Sequence, residues 1–325
     1  MPVTSLLLAA GGIALLLGGG EALVRGAVAL ARRVGLSPLV IGLTVVGFGT
    51  SAPELVVSVH AALSGSPGIA LGNVVGSNVA NILLIIGVSA VLYPLAVHRN
   101  ALKRDGMVML AATAVFILLA LGGTIDAPRG AAMLALLALY LGWSLWSDRR
   151  DTAAAGLHQA EAAALDPALP LTGWTIAVAL AAGLAGLVAG ASLAVDGATG
   201  IARAAGVPDS VIGLTLVAVG TSLPELATAI VAARRGQADV CVGNVLGSNI
   251  FNLLGIGGAA ALAAPLPMPP AMLAFDLWVM AAASLLVLAF MGTGQRVVRA
   301  EGVALLALYA AYVGWQFLGP PAAGP

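Results

Sequence analysis

One segment of the chain occurs twice, and this internal repeat constrains the fold more than any other feature. Residues 41–87 align without a gap on residues 212–258, every residue displaced by 171 positions. IGLTVVGFGTSAPEL returns as IGLTLVAVGTSLPEL, and GNVVGSNVANILLIIG returns as GNVLGSNIFNLLGIGG. Weaker similarity continues upstream of both segments, so the repeated unit is predicted to be a whole half-chain.

The chain is too apolar to be a water-soluble globular protein. Hydrophobic residues make up 60% of its 325 residues and charged residues only 9%, which indicates that its solvent is lipid. Ten apolar runs are each long enough, at roughly 20 residues, to cross a bilayer. They are predicted at residues 3–31, 37–63, 68–93, 106–123, 130–147, 171–202, 209–233, 238–264, 270–291 and 299–318. The runs lack the alternating pattern of barrel strands, and the first has no basic region before it, unlike a cleavable signal peptide.

Five spans in each half give the second copy the opposite orientation in the membrane. The predicted fold is therefore an all-α membrane protein of ten transmembrane helices in two inverted five-helix repeats, an arrangement that recurs in transporters. The first repeat covers residues 1–147, a linker 148–170, the second repeat 171–318 and a short tail 319–325. The alternative is that duplication produced only a larger helix bundle, which leaves the polar residues of the repeats without a purpose.

The basic residues predict which side of the membrane each loop faces. With alternating spans, Arg129 and Arg203 fall on one side, Arg25 lies inside the first span, and the other eleven of the fourteen lie on the opposite side. Positively charged loops remain in the cytoplasm. The linker 148–170 is therefore predicted to be cytoplasmic, with both termini outside a plasma membrane of bacterial or archaeal type.

Two glutamates stand in the middle of predicted spans, where an ionisable side chain costs at least about 2.5 kcal/mol. Glu54 and Glu225 each end the same motif, Gly-Thr-Ser-x-Pro-Glu. Pro53 and Pro224 cannot donate a helical hydrogen bond, so both helices are predicted to break at the centre of the protein. A break frees carbonyl oxygens at the negative end of the preceding half-helix, and carbonyls combined with carboxylates suit calcium. Two glutamates brought together by the inverted repeat would balance one Ca²⁺, and sodium ions could compete for the same oxygens.

The motif also has a purely local interpretation. In a capping box, Ser51 or Ser222 caps the second half-helix while the glutamate folds back onto backbone amides. A second set of polar residues lies in the next span of each half, four residues apart on one helical face. They are Asn73, Ser77 and Asn81 in the first half and Asn244, Ser248 and Asn252 in the second. For Asn73 and Asn244, hydrogen bonding between helices explains the pattern as well as ligation does.

Smaller features carry predictions about packing. Glycine pairs beside the polar faces predict close approach of helix backbones, namely Gly72 with Gly76 and Gly243 with Gly247. Glu21 and Arg25 are four residues apart and could pair along the first helix. Arg25 could instead pair with Asp196 across the two halves. Asp276 lies near a predicted membrane interface, and no role is predicted for it.

At these motifs the chain resembles the calcium/cation antiporter superfamily, specifically the prokaryotic sodium/calcium exchangers, over essentially all ten spans. In such exchangers the second to fifth and seventh to tenth helices form a hub that carries the site, while the long first and sixth helices slide across it to alternate access. The resemblance implies that Glu54 and Glu225 bind calcium with the carbonyls of Thr50 and Thr221. Sodium would use both glutamates and a further set of groups: Ser51, Ser77, Ser222 and Ser248, with the carbonyls of Gly47 and Ala218. Asn81 and Asn252 would line the middle of the site.

The chain departs from some relatives at the centre of the site. Some of them carry an aspartate where Asn252 stands, so this chain has two central acids instead of three, and sodium stoichiometry and potassium dependence stay open. Proton-coupled relatives typically have glutamate where this chain has Gly76 and Gly247, which favours sodium coupling.

The predicted function is a secondary antiporter that exchanges sodium for calcium by alternating access at a midplane site, without enzymatic chemistry or a cofactor. Calcium/proton exchange is the alternative because buried glutamates can titrate, and a cation channel or an intramembrane hydrolase with paired acids are the other classes. The expected partners are Ca²⁺ and Na⁺ as substrates and the lipid bilayer, with no obligatory protein partner evident. A formal net charge of zero argues against nucleic acid, and the single Cys241 excludes an internal disulfide. The physiological cargo, regulation and oligomeric state stay open.

Overall fold

The computed structural model describes residues 3–98, 101–150, 172–205 and 220–318, and these residues form mainly helices. In the first half the α-helices are α1 (Val3–Val34), α2 (Pro38–Ile41), α3 (Gly47–Thr50), α4 (Ala52–Leu63), α5 (Pro67–Ala80), α6 (Ile86–Leu92), α7 (Met107–Ala120) and α8 (Ala127–Arg150). In the second half they are α9 (Gly173–Ala204), α10 (Leu223–Arg234), α11 (Ala238–Ile250), α12 (Gly257–Ala263), α13 (Leu277–Gly292) and α14 (Arg299–Leu318). π-Helical turns lie at Gly42–Val46, Asn81–Ile85, Ala101–Gly106, Phe251–Ile256 and Met272–Asp276. Short strands are β1 (Leu95–Ala96), β2 (Thr124–Ile125), β3 (Leu266–Pro267) and β4 (Arg296–Val297).

Several of these helices join into longer apolar segments that suit a bilayer. In the described ranges, six helices are long and apolar enough to cross a membrane, and the bent pair Pro38–Thr50 and Ala52–Leu63 would make a seventh. The six are Val3–Val34, Pro67–Leu92, Ala127–Asp148, Gly173–Ala204, Ala238–Ala263 and Met272–Gly292. A multi-pass helical membrane protein is therefore confirmed. The count of ten spans stays a prediction, because the predicted span 209–233 lies partly outside the described residues and α7 has only 14 residues.

The internal repeat returns in the secondary structure at the displacement seen in the sequence. Three pairs of elements have their first and last residues displaced by 171 positions, namely α4 with α10, α6 with α12, and β1 with β3. The π-helical turns that begin at Ala101 and Met272 are also 171 residues apart. These turns lie beyond the segment in which the sequence similarity is obvious, so the structural repeat is longer than the recognisable sequence repeat.

The short strands join loops of one half to loops of the other. β1 pairs antiparallel with β4, with Leu95 opposite Val297, and β2 pairs antiparallel with β3, with Ile125 opposite Leu266. Because the loops that contain β1 and β4 were both assigned to the basic side of the membrane, their pairing agrees with the alternation of spans.

The chain divides into two compact units, and the first consists of Met1–Pro53 with Leu145–Asn244. Its two longest helices, α1 and α9, pack antiparallel through glycines spaced seven residues apart. A Cβ atom added to any of these glycines would lie within 3 Å of a backbone atom of the facing helix. They are Gly12 and Gly19 on α1 and Gly183, Gly190 and Gly197 on α9. Such backbone contact is typical of helices that associate in lipid.

The second unit consists of Glu54–Ser144 with Val245–Pro325. Within it, two aspartates that are 171 residues apart each accept a hydrogen bond from a tyrosine, and each tyrosine lies on the last helix of its half. The hydroxyl of Tyr140 on α8 donates to Asp105 at 3.0 Å, and that of Tyr312 on α14 donates to Asp276 at 3.1 Å. Asp105 is fully buried. Asp276, for which no role was predicted, therefore takes part in a tertiary contact that recurs in both halves.

Candidate cation-binding site

The first Gly-Thr-Ser-x-Pro-Glu motif interrupts a helix, as its proline predicted, and a new helix begins within the second motif. In the first half α3 ends at Thr50 and α4 begins at Ala52, with a bend of 47° between the flanking segments. Ser51 lies at the break with φ −84° and ψ 8°, and Ser222 has nearly the same conformation in the second half, with φ −89° and ψ 4°. Proline follows within two residues of each serine because it suits the first turn of the new helix.

The two glutamates that follow the breaks are buried, each with 1% of its surface exposed. The hydroxyl of Ser51 donates a hydrogen bond to Oε1 of Glu225 at 2.8 Å, although the two residues are 174 positions apart. Ser222, at the N-cap position of α10, makes no side-chain capping bond. The capping-box interpretation therefore does not hold for Ser222. Ser51 of the first half donates its hydrogen bond to Glu225 of the second half.

A second contact joins the two motifs through a threonine and an asparagine. The hydroxyl of Thr50 lies 3.2 Å from Oδ1 of Asn244 and 3.3 Å from the carbonyl oxygen of Gly47. Thr50 and Asn244 are almost completely buried, with 1% and 0% exposed. The last turn before the first-half break is therefore held both by its own helix and by α11 of the second half.

The first asparagine of each polar face binds the backbone carbonyl of the glutamate in its own half. Asn73 donates through Nδ2 to the Glu54 carbonyl at 3.1 Å, and Asn244 donates to the Glu225 carbonyl at 3.5 Å. Asn73 also donates to the hydroxyl of Ser58 at 2.8 Å. Hydrogen bonding between helices, one of the two explanations offered by the sequence, is confirmed for Asn73 and Asn244.

The last asparagine of each polar face lies in a π-helical turn. Asn81 starts the turn Asn81–Ile85, and Asn252 lies in the turn Phe251–Ile256. Both side chains are 1% exposed, and neither their amide oxygens nor their amide nitrogens have a hydrogen-bond partner among the described residues. Buried amides are normally hydrogen-bonded, and π turns are frequent at functional sites. Among the described residues, the two amides at these repeat-equivalent positions are therefore buried without a protein partner.

The remaining predicted ligands divide between the two compact units. Those in the first unit are Gly47, Thr50, Ser51, Thr221, Ser222 and Glu225, and those in the second are Glu54, Ser77, Asn81, Ser248 and Asn252. Ser77 and Ser248 are buried. Ala218 lies outside the described residues. In the described part of the chain, no group of three or more His, Cys, Asp and Glu side chains could hold a metal ion.

Some contacts near the motifs were not predicted. Glu21 pairs with Arg25 at 3.0 Å, as one of the two sequence hypotheses proposed, but it also pairs with Arg234 at 3.3 Å and with Arg235. These last two partners lie at the end of α10, more than 200 positions away, and no local pattern points to them. The glycine prediction holds at Gly243, where a Cβ would lie 2.5 Å from the Leu39 carbonyl oxygen. Among the described residues nothing lies within 4 Å of a Cβ at Gly72 or Gly76.

Comparison with known proteins identifies the family. The family described as sodium/calcium exchanger protein matches residues 4–146 and 175–318. The sodium/calcium exchanger MaX1 of Methanosarcina acetivorans is 34% identical over 93% of this chain and 95% of its own. The inner membrane protein YrbG of Escherichia coli is 35% identical over 85% of each chain. A structure of the sodium-calcium exchanger NCX_Mj soaked with zero Na⁺ and Ca²⁺ superposes with a TM-score of 0.83 at 32% identity, over 97% of this chain and all of that one.

The similarity covers nearly the whole length of MaX1 and NCX_Mj, which are sodium/calcium exchangers and not enzymes. The chain belongs to the sodium/calcium exchanger family and is a calcium/cation antiporter of the prokaryotic exchanger type.

Proposed function

We propose that this antiporter exchanges sodium for calcium, with Glu54 and Glu225 as the charged ligands of the cation site. The observation that carries the proposal is the hydrogen bond from Ser51 to Glu225. It brings the proline-broken motif of one half against the acid of the other, which is the arrangement that a site shared between repeats requires. Both acids are buried in apolar helices, where a carboxylate is stable only with a cation or a strong hydrogen-bond donor.

Calcium suits the oxygen atoms of the two motifs. Ca²⁺ takes six to eight oxygen ligands, commonly carboxylates and backbone carbonyls. Glu54 and Glu225 supply two negative charges, and the breaks after Thr50 and Thr221 supply carbonyl oxygens at the negative ends of half-helices. One calcium ion would leave the site electrically neutral.

Sodium would bind to the same oxygens in the other stage of the transport cycle, after calcium has left. Its ligands are proposed to be the two glutamates with Ser51, Ser77, Ser222 and Ser248 and the carbonyls of Gly47 and Ala218. Asn81 and Asn252 would line the middle of the site with neutral amide oxygens, which their lack of protein partners supports. Since the two ions compete for shared ligands, binding of one requires release of the other, and exchange follows.

Alternating access is proposed to depend on the long helices α1 and α9. Their backbones touch through five glycines, so the two helices are expected to move as one body. The ten-span inverted topology is proposed with both termini outside and the linker 148–170 in the cytoplasm. The recurrence of helices, strands and π turns at one displacement supports the repeat, and the distribution of basic residues supports the orientation.

Tracer uptake in proteoliposomes tests the coupling ion. Purified protein should take up ⁴⁵Ca²⁺ when vesicles are loaded with sodium and diluted into sodium-free buffer. A proton gradient alone should drive no uptake above that of protein-free vesicles. Uptake driven by the proton gradient but not by sodium would replace this proposal with calcium/proton exchange. Uptake without either ion on the opposite side would indicate a channel.

A further inference from the structure

The buried side chain of Asn244, for which the sequence left ligation and helix contact open, contacts both Gly-Thr-Ser-x-Pro-Glu motifs. Oδ1 of Asn244 accepts from the hydroxyl of Thr50 at 3.2 Å, while Nδ2 of the same amide donates to the carbonyl of Glu225 at 3.5 Å. One side chain therefore contacts the residue before the first-half break and the acid after the second-half break. We propose that Asn244 is a positioning residue that fixes the spacing of these two groups and thereby sets which size of divalent cation the site accepts.

The backbone around Asn244 leaves little freedom for this spacing to vary. A Cβ atom on the preceding Gly243 would lie 2.5 Å from the carbonyl oxygen of Leu39, and a Cβ on Gly42 would lie 3.0 Å from that of Val240. The helix before the first-half break and α11 are thus in direct backbone contact. From that fixed distance the short amide of Asn244 reaches Thr50 without a water between them.

Asn244 differs from its repeat equivalent in what its second contact does. Asn73 makes the same bond to the carbonyl of the acid in its own half, but its other bond goes to Ser58, in the same half. The position that corresponds to Ser58 in the second half is Ala229, so Asn244 has no such local acceptor. The second contact of Asn244 is made by its amide oxygen, which accepts a bond from Thr50, across the repeat.

The hydroxyl of Thr50 has a second acceptor, so loss of its bond to Asn244 should change the position of Thr50 without unfolding the protein. It also lies 3.3 Å from the Gly47 carbonyl oxygen, within its own helix. Without Asn244 this hydroxyl would stay hydrogen-bonded locally, so the fold would keep its pairing while the link to the second half would be lost. The expected result is a folded protein whose Thr50 carbonyl is less firmly placed relative to Glu225.

A less firmly placed carbonyl changes selectivity among divalent ions. Calcium requires oxygens at 2.3–2.6 Å, and Ba²⁺, which is larger, requires longer distances. A rigid set of oxygens at the calcium distance discriminates against barium, whereas a looser set adjusts to either ion. This inference rests on the proposed function, because Thr50 and Glu225 act as calcium ligands only in that proposal.

Displacement of bound ⁴⁵Ca²⁺ by unlabelled Ca²⁺ and by Ba²⁺ on purified protein tests the inference without sodium or transport. Thr50→Val and Asn244→Ala should each reduce the preference for calcium over barium, by about threefold to tenfold, the range expected for one hydrogen bond. The double variant should show no further loss of calcium preference. Thr50→Ser, which retains the hydroxyl, should keep the wild-type preference.

One variant serves as a matched control. Thr44→Val removes a hydroxyl that bonds to the Val40 carbonyl at 2.7 Å within the same bent helix. It should keep the wild-type ratio of the two affinities. Unchanged selectivity in Thr50→Val and Asn244→Ala, or an equal change in Thr44→Val, would overturn the inference. If Asn244→Ala fails to fold, Thr50→Val alone decides. Loss of sodium-driven uptake in the wild type, with calcium binding intact, would contradict the proposed function but not this role for Asn244.

Discussion

The glycine contacts between α1 and α9 predict a sharp difference between neighbouring substitutions. Gly12 faces α9 closely, whereas nothing in the described part of the chain lies within 4 Å of a Cβ on Gly11. A Cβ on Gly12 would lie 2.4 Å from the backbone nitrogen of Ala194 and 2.7 Å from the carbonyl oxygen of Gly190. Gly12→Ala should therefore push two helix backbones apart, while Gly11→Ala should only add a methyl group in open space.

The size of the effect follows from these distances. Ordinary contacts begin near 3.4 Å, so the backbones at Gly12 must separate by about 1 Å, the difference between 3.4 and 2.4 Å. Overpacking of this kind costs about 1–3 kcal/mol. Alanine also favours a helix over glycine by about 0.8–1.0 kcal/mol, but this gain is common to both variants. The difference between them therefore isolates the packing cost, with Gly12→Ala less stable by about 1–3 kcal/mol.

Thermal unfolding of the purified variants in one detergent, followed by tryptophan fluorescence, measures this difference. Gly12→Ala should unfold at a lower temperature than Gly11→Ala, whose midpoint should equal or exceed that of the wild type. A second pair gives an independent check, because a Cβ on Gly19 would lie 2.8 Å from the Gly183 carbonyl oxygen while Gly18 is open. Equal midpoints within both pairs would refute the close packing of α1 on α9.

Three further substitutions test other parts of the account. Ser51→Ala removes the donor to Glu225 and a proposed sodium ligand, so ⁴⁵Ca²⁺ uptake should require an about tenfold higher sodium concentration, the effect of losing one charge-assisted hydrogen bond. An unchanged sodium requirement would argue against Ser51 as a ligand. Asn252→Asp adds a third acid and should alter the sodium dependence or ion selectivity of the same uptake, whereas identical profiles would show that this position does not determine them. Tyr140→Phe removes a donor to buried Asp105 and should cost about 1–2 kcal/mol, seen as a lower unfolding midpoint; a wild-type midpoint would contradict the contact.

The sequence predicted the local geometry of the two motifs well because proline acts locally. Pro53 and Pro224 lack the hydrogen-bond donor that a continuous helix needs, so a break close to each follows from the chain alone. Burial of Glu54 and Glu225 was also predictable, since both stand in apolar runs of membrane length. The pairing of Glu21 with Arg25 followed from their spacing along one helix.

Contacts between distant segments could not be predicted in the same way. Glu21 also pairs with Arg234 and Arg235, and Ser51 bonds to Glu225, because helices that are far apart in the chain pack together. The choice between ligation and helix contact for Asn244 depended on whether Thr50 lay within reach, which no periodicity reveals. The π-helical turns at Asn81–Ile85 and Phe251–Ile256 were equally hidden, since their residues are mainly apolar, as in an ordinary membrane helix.

The most direct test of the central claim is calcium transport by variants of the two buried acids. Glu54→Gln and Glu225→Gln keep the shape of the side chain but remove its charge, and each should abolish sodium-driven ⁴⁵Ca²⁺ uptake in proteoliposomes. Glu301→Gln changes an acid that bonds to Thr293 and the Val298 amide at the start of α14, and it should transport normally. Monodisperse elution of all three variants in detergent would show that they fold. Wild-type uptake by both Glu54→Gln and Glu225→Gln would contradict the claim that these two carboxylates hold the calcium ion.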